Sequence, residues 1–104
     1  MEAVAQHNVT WSGHAALGPG QSRKLVDVQL DGEPVRLEVQ LEDPQSAGIV
    51  FDVEHGIGDE LVTDTGIAAG PYSFGCDTLR ITARNPLSEG EPQLCRARAW
   101  RLAS

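Results

Sequence analysis

The residues of this chain that could bind a cation are concentrated in one acidic stretch, Asp52-Val-Glu-His-Gly-Ile-Gly-Asp-Glu60, with Asp64 just beyond it. Calcium takes roughly six to eight oxygen ligands in flexible geometry, and a glycine-containing loop could supply them. The spacing does not match the common calcium-binding loop, which ends in a bidentate glutamate. We favour the simpler interpretation of a solvated acidic loop, and no metal or other cofactor is predicted. The weak calcium candidates are Asp52, Glu54, Asp59, Glu60 and Asp64.

The sequence contains no recognisable catalytic pattern. The three histidines, His7, His14 and His55, are not at zinc-ligand spacing, and no Cys-x-x-Cys or His-x-x-x-His pattern accompanies them. No serine lies in the Gly-x-Ser-x-Gly pattern that commonly marks a nucleophilic hydrolase. Asp52 and Glu54 could share a strand face as a carboxylate pair, but an acidic β protein offers several such pairs. Neither phosphate-binding glycine pattern is present. We therefore predict that the protein is not an enzyme.

The two cysteines, Cys76 and Cys95, both lie in the C-terminal quarter of the chain. We interpret this quarter as two neighbouring strands joined by a polar loop. If Arg84 and Leu94 pair across that loop, the two sulfurs are separated by roughly 20 Å or more, at about 3.3 Å per residue, which is too far for a disulfide. A bridge would require the first strand to bend back or the strands not to be neighbours. We favour two buried thiols, because a free cysteine packs as a small hydrophobe.

The same C-terminal strands carry the residues that could form a contact surface. Burying arginines without partners is costly, so we expect the small and aliphatic rows, Leu79 to Ala83 and Cys95 to Ala99, to face the core. This choice places Trp100 outside among arginines, a composition typical of a binding hot spot. The alternative is that Trp100 and Leu102 close the bottom of the core. The interface candidates are Trp100, Arg80, Arg84, Arg96, Arg98 and Tyr72.

The charge distribution indicates which partners to expect. A formal charge of −7 opposes association with nucleic acid and with anionic membranes. The segment from Asp27 to Asp64 holds eleven acidic residues and a single basic one, Arg36. An acidic middle and a basic C-terminal face would favour head-to-tail contact between copies, because complementary potentials orient docking. The alternative is a merely solvated surface.

The start of the chain, Met1-Glu-Ala-Val-Ala-Gln, lacks the basic start and apolar run of a signal peptide. No apolar run approaches the length of a membrane span. We therefore expect a protein that is cytoplasmic when synthesised, with a virion as one later location.

Alternating apolar and polar residues predict the elements that position these side chains. His7 to Leu17 reads as a half-buried strand with Trp11 inside. An Asp31-Gly pair between two apolar-periodic runs indicates a hairpin turn. Glycines 56 and 58 are expected to end the fourth strand. The further predicted strands are Leu25 to Leu30, Val35 to Glu42, Ile49 to Val53, Leu61 to Thr63, Ile67 to Gly75, and the two C-terminal strands.

Short strands with frequent turn signals are typical of an all-β protein. We predict a two-sheet antiparallel β-sandwich, jelly-roll-like or immunoglobulin-like, with seven to eight short strands. The length of 104 residues is that of one domain, so residues 1–104 are assigned to a single β-sandwich domain.

Two functions fit this fold. The first is a non-enzymatic structural or interaction subunit that assembles with itself or with a larger scaffold, such as an accessory or decoration protein of a phage particle, an analogy from fold class. Its partner is another protein, most simply a second copy. The alternative is a carbohydrate-binding module, in which Tyr72 and Trp100 would stack on a glycan while Trp11, Phe51 and Phe74 fill the core.

Overall fold

The computed structural model describes residues Thr10–Arg101, which form eight β-strands and no helix. The described residues exclude positions 1–9 and 102–104. The parts of the predicted first and last strands that fall there are therefore not assigned. Within Thr10–Arg101 no helix is long and apolar enough to cross a membrane. The strands are β1 Thr10–Leu17, β2 Ser22–Gln29, β3 Val35–Glu42, β4 Val50–Ile57, β5 Glu60–Ile67, β6 Gly70–Cys76, β7 Thr78–Arg84 and β8 Gln93–Arg101.

The strands form two four-stranded antiparallel sheets. Sheet A has the order β1-β8-β3-β6, and sheet B has the order β2-β7-β4-β5. Nearly every connection crosses from one sheet to the other, which is the interleaved arrangement of a jelly roll. The predicted β-sandwich is therefore confirmed, and its topology is the jelly-roll-like alternative.

The two C-terminal strands are not neighbours, which corrects the sequence interpretation. β7 lies in sheet B between β2 and β4, whereas β8 lies in sheet A between β1 and β3. The chain turns between the sheets at Asn85, which is buried and donates from its side-chain amide to the Leu17 carbonyl oxygen at 2.9 Å. Its backbone N–H donates to the Gln21 carbonyl oxygen at 2.9 Å. Asn85 thereby satisfies the polar groups of a sheet-crossing corner.

The hairpin predicted at Asp31-Gly is also wrong, because β2 and β3 lie in different sheets. The hairpin within a single sheet is formed instead by β4 and β5, where Ile57 pairs with Glu60. β4 continues through Gly56 rather than ending there. A Cβ atom at Gly56 would collide with the backbone carbonyl oxygen of Glu60, so this position in the strand requires glycine.

The core lies between the sheets and is built from the inward-facing residues of both. Leu79, Ile81 and Ala83 on β7 are fully buried, and so are the small side chains of Cys95, Ala97 and Ala99 on β8, as the alternation predicted. Trp11 is half-buried and packs against this core. Full burial of a leucine, isoleucine, valine or phenylalanine side chain contributes about 1.5–3 kcal/mol to stability.

Both cysteines are free and buried, as favoured from the sequence. The expected pairing of two neighbouring C-terminal strands is not what separates them. Cys76 lies on β6 and Cys95 lies on β8, and β3 runs between these strands in sheet A. Cys76 pairs with Val35 at the start of β3, whereas Ala97 pairs with Leu41 near its end and Cys95 lies further on. Burial raises the pKa of both thiols above the ordinary cysteine value.

Candidate functional site

The β4–β5 hairpin ends in a two-residue turn, Gly58-Asp59, between the paired residues Ile57 and Glu60. Gly58 has a φ of 63°, which glycine adopts without steric cost and which a tight hairpin turn requires. The backbone N–H of Gly58 donates to both carboxylate oxygens of Asp77 at 3.2 Å. The turn is thus fixed to the adjacent connection between β6 and β7.

Two large apolar side chains of this hairpin are exposed: Ile57 at 52% and Val62 at 58%. They lie on the side of the hairpin that faces sheet A, because Ile57 alternates with buried Val53, and Val62 is paired with His55 on the same side. Most of β5 is exposed, so sheet A does not cover this side of the hairpin. Glu60 and Asp64 share the same side. The name hairpin patch is used below for Ile57, Glu60, Val62 and Asp64.

His55 connects the hairpin patch to the core. Its ring centroid lies 4.4 Å from that of Phe74, a tilted aromatic contact between the two sheets. Its Nε2 lies 3.2 Å from Asp64 Oδ2, and the His55 side chain is only 20% exposed. The His55 imidazole therefore links the β4–β5 hairpin to Phe74 of sheet A.

The five weak calcium candidates are not brought together. Asp52 and Glu54 point away from the core and bind arginines of β7, whereas Asp59 lies in the turn, and Glu60 and Asp64 lie on the opposite side of the hairpin. Strand alternation separates residues that are close in sequence. Between Thr10 and Arg101 no group of three or more His, Cys, Asp or Glu side chains could hold a metal ion.

The arginines of β7 form ion pairs on the outer face of sheet B. Arg84 donates from Nε to Asp52 Oδ2 at 2.7 Å and from Nη2 to Oδ1 at 3.0 Å. Arg80 donates from Nη1 to Glu54 Oε1 at 2.7 Å and lies 3.3 Å from Asp27 Oδ1. The hydrogen bond from Arg84 is the main cause of a lowered pKa at Asp52.

The arginines of β8 lie on the opposite face of the molecule, the outer face of sheet A. Arg96 Nε is 3.1 Å from Glu42 Oε1, and Arg98 Nη2 donates to Glu42 Oε2 at 2.8 Å. The four arginines expected to form one basic face with Trp100 are thus divided between two faces. Four of the eleven acidic residues expected to attract another copy pair with these arginines within the same chain: Asp27, Glu42, Asp52 and Glu54.

Trp100 lies on the outer face of sheet A, half-exposed, between Thr10 and Glu38 on the neighbouring strands. It is not among the described residues that pack against the core. Tyr72 does pack against the core, and its hydroxyl donates to the Ala68 carbonyl oxygen at 2.7 Å. Tyr72 is therefore partly buried on the inner side of sheet A, whereas Trp100 lies on the outer face.

A second surface feature lies at the end of the sandwich opposite the hairpin turn. It is a pocket of about 320 Å³ whose lining is mainly apolar; the lining residues are His14, Ala15, Pro44, Leu94, Cys95 and Arg96. Leu94 is 49% exposed. Arg96 pairs with Glu42 at the end of β3. The start of β3 lies beside Cys76, and the next residue, Asp77, binds the hairpin turn. The pocket and the hairpin turn therefore lie at opposite ends of β3. This feature is called the terminal pocket below.

Sequence reasoning missed both the hairpin patch and the terminal pocket. One signal for the first was available, because a Gly-Asp pair between Ile57 and Glu60 is a recognised hairpin turn sequence. The pocket is assembled from β1, β8 and the loop after β3, segments that are distant in the chain, and no local pattern indicates it.

No family model matches the chain, and no curated protein matches it. Among solved structures, a de novo designed double-stranded β-helix is 19% identical, with 88% of this chain and 97% of that chain covered and a TM-score of 0.35. The Drosophila melanogaster CENP-C cupin domain is 17% identical, with 88% and 60% covered and a TM-score of 0.43. A pilus protein of Bacillus endospore appendages is 9% identical, with 99% and 98% covered and a TM-score of 0.38. At these identities and TM-scores, the similarities assign the chain to no family.

Proposed function

We propose that this chain is a non-enzymatic structural subunit that assembles with copies of itself or with a larger protein scaffold through the hairpin patch. The observation that supports the proposal is the exposure of Ile57 and Val62 beside each other on one hairpin. Burying the exposed part of either side chain in an interface would contribute roughly 1 kcal/mol. Exposed apolar patches rimmed by polar residues mark sites of protein contact.

The backbone of β5 adds to this surface. β5 is the last strand of sheet B, and β4 is its neighbour among the described strands. The N–H and C=O groups along its other edge are therefore open to a partner. From Glu60 to Thr63, β5 pairs with β4 in regular register. The register shifts only further along β5, between the pair Val53–Asp64 and the pair Phe51–Ile67.

Light scattering across protein concentration and ionic strength tests the proposal. We expect the mass of the wild-type protein to rise with concentration, and Val62→Asp to weaken this association by about tenfold or more, because it places a charge in the apolar contact. The matched control is Leu87→Asp, which changes an exposed apolar residue, 38% exposed, in the loop before β8. A wild-type monomer under all conditions would contradict self-assembly. Equal effects of the two variants would exclude the hairpin patch as the contact.

A more specific form of the proposal is an accessory or decoration protein of a phage particle. The support for this form is an analogy of fold class. Cosedimentation of the purified protein with phage capsids, lost in the Val62→Asp variant, is the result it predicts. Failure to cosediment would remove this form and leave self-assembly standing.

A second candidate function is glycan binding, supported by the half-exposed Trp100 on the polar outer face of sheet A. Its neighbours across the strands, Thr10 and Glu38, supply a hydroxyl and a carboxylate that could bind sugar hydroxyls. The packing of Tyr72 against the core leaves Trp100 as the single aromatic platform of the pair proposed from the sequence. A glycan array read with the wild type and Trp100→Ala tests this function. Sugar binding that survives the substitution would exclude Trp100 as the platform.

A further inference from the structure

We infer that the hairpin patch of one copy docks into the terminal pocket of the next copy. This inference rests on the proposed function and names the partner of the hairpin patch. The two surfaces lie at opposite ends of the same sandwich, so each copy presents one of each. A contact between two different surfaces is heterologous, and its repetition produces a ring or an open chain of subunits.

The apolar parts of the two surfaces are suited to each other. The hairpin patch presents Ile57 and Val62 on the two strands that flank the Gly58-Asp59 turn. The terminal pocket, of about 320 Å³, offers Ala15, Pro44 and Leu94 as apolar lining. This volume is about ten times the share of one water molecule in liquid water, about 30 Å³, which leaves room for an aliphatic side chain. Docking would cover the exposed part of Leu94 together with that of Ile57.

The charges favour this pairing over contact between two hairpin patches. The patch carries Glu60 and Asp64, and Asp59 lies in the adjoining turn. Two such surfaces facing each other would bring like charges together, which is destabilising. The pocket is lined instead by Arg96, whose partner Glu42 is shared with Arg98, so that a positive charge remains at its rim. Opposite charges at the rim therefore orient the hairpin patch toward the pocket.

Arg96 remains available to a partner although it already has one. Its side chain is 50% exposed, and the pair with Glu42 uses its Nε. Glu42 also accepts a hydrogen bond from Arg98, so that carboxylate is shared between two guanidinium groups. The terminal nitrogens of Arg96 retain N–H groups that can donate hydrogen bonds to a carboxylate of the docked hairpin.

Mixing two complementary variants tests this arrangement. Ile57→Asp with Val62→Asp disables the hairpin patch and leaves the pocket intact, whereas Leu94→Asp disables the pocket and leaves the patch intact. Each variant alone is expected to be monomeric at concentrations where the wild type associates. An equimolar mixture is expected to form a complex of one copy of each, because one functional patch meets one functional pocket and growth then stops.

The outcomes separate this inference from the proposed function. If the patch variant is monomeric but Leu94→Asp associates like the wild type, the proposed function stands and the terminal pocket is not the partner. If both variants are monomeric and the mixture forms no complex, heterologous docking is excluded. If the wild type itself never associates, the inference is overturned as well. Circular dichroism of each variant verifies that it is folded, and native mass spectrometry reads the composition of the mixture.

A charge comparison at Leu94 gives a second readout. Leu94→Lys removes the same apolar side chain but adds a cation near the docked carboxylates of Asp59 and Glu60. We expect Leu94→Asp to weaken association about tenfold more than Leu94→Lys, with the difference shrinking at high salt. Equal losses in the two variants at low salt would contradict the proposed orientation of the docked hairpin.

Discussion

At the scale of single residues, Arg80, Arg84, Arg96 and Arg98 each pair with a carboxylate of the same chain. Each carboxylate that binds them lies on a neighbouring strand of the same sheet: Glu42 for β8, and Asp27, Asp52 and Glu54 for β7. The sequence shows the excess of acidic residues in the middle of the chain. It does not show that β7 runs between β2 and β4 or that β8 runs beside β3. Alternation predicts which side of a strand a residue faces, but it does not predict which strand lies next to it.

The pair between Arg84 and Asp52 predicts a measurable dependence of stability on pH. The lowered pKa of Asp52 means that folding favours its charged form. The stabilisation is therefore present above the ordinary aspartate pKa of 3.8 and is lost as the pH falls through the lower pKa of the folded state. We expect Asp52→Asn to lower the free energy of unfolding by about 1 kcal/mol at neutral pH, and by less in acid.

Urea unfolding at several pH values measures this effect. Glu89→Gln is the matched control, since Glu89 lies exposed in the loop before β8. A constant difference between Asp52→Asn and the wild type, from neutral pH down to strong acid, would show that the Asp52 charge does not carry the stabilisation.

At the scale of elements, the approximate positions of the strands were predictable, whereas the lengths of β4 and β5 and the strand partners were not. Val35 to Glu42 was predicted with the bounds that β3 has, because its alternation is complete and both ends are marked by turn residues. The β2–β3 turn and the loop before β8 look like hairpin loops in sequence but cross between sheets. Residues such as Asn85 make that crossing possible through contacts with distant segments, which no local pattern reveals.

The β4–β5 hairpin depends on a glycine in the middle of β4. We expect Gly56→Ala to lower the free energy of unfolding by about 2 kcal/mol or more, because its Cβ would collide with the Glu60 backbone and force β5 to move. Gly75→Ala is the control, since a Cβ there meets no atom within 4 Å. Urea unfolding of both variants provides the comparison, and equal stabilities would contradict the close approach of β5 to Gly56.

At the scale of the whole molecule, the jelly roll presents different surfaces at its two ends. The end with the hairpin turn carries carboxylates from three connections: Asp31 and Glu33, Asp59, and Asp77. The other end holds the terminal pocket with His14 and Arg96, and its own connections carry the carboxylates Asp43, Glu89 and Glu91. The sequence predicted head-to-tail contact from its acidic middle and basic C-terminus. The folded chain retains an asymmetry between its ends, but in different residues.

Hydrogen exchange measured at low and high protein concentration tests the central claim most directly. If copies dock patch to pocket, backbone amides from Ile57 to Asp64 and from Leu94 to Arg96 exchange more slowly at high concentration, by about tenfold or more. Amides in the middle of β7, paired on both sides within sheet B, serve as the internal reference. If the mass of the protein rises while exchange in the hairpin does not change, docking of patch to pocket is contradicted. Protection confined to β1 or β2 would contradict it as well.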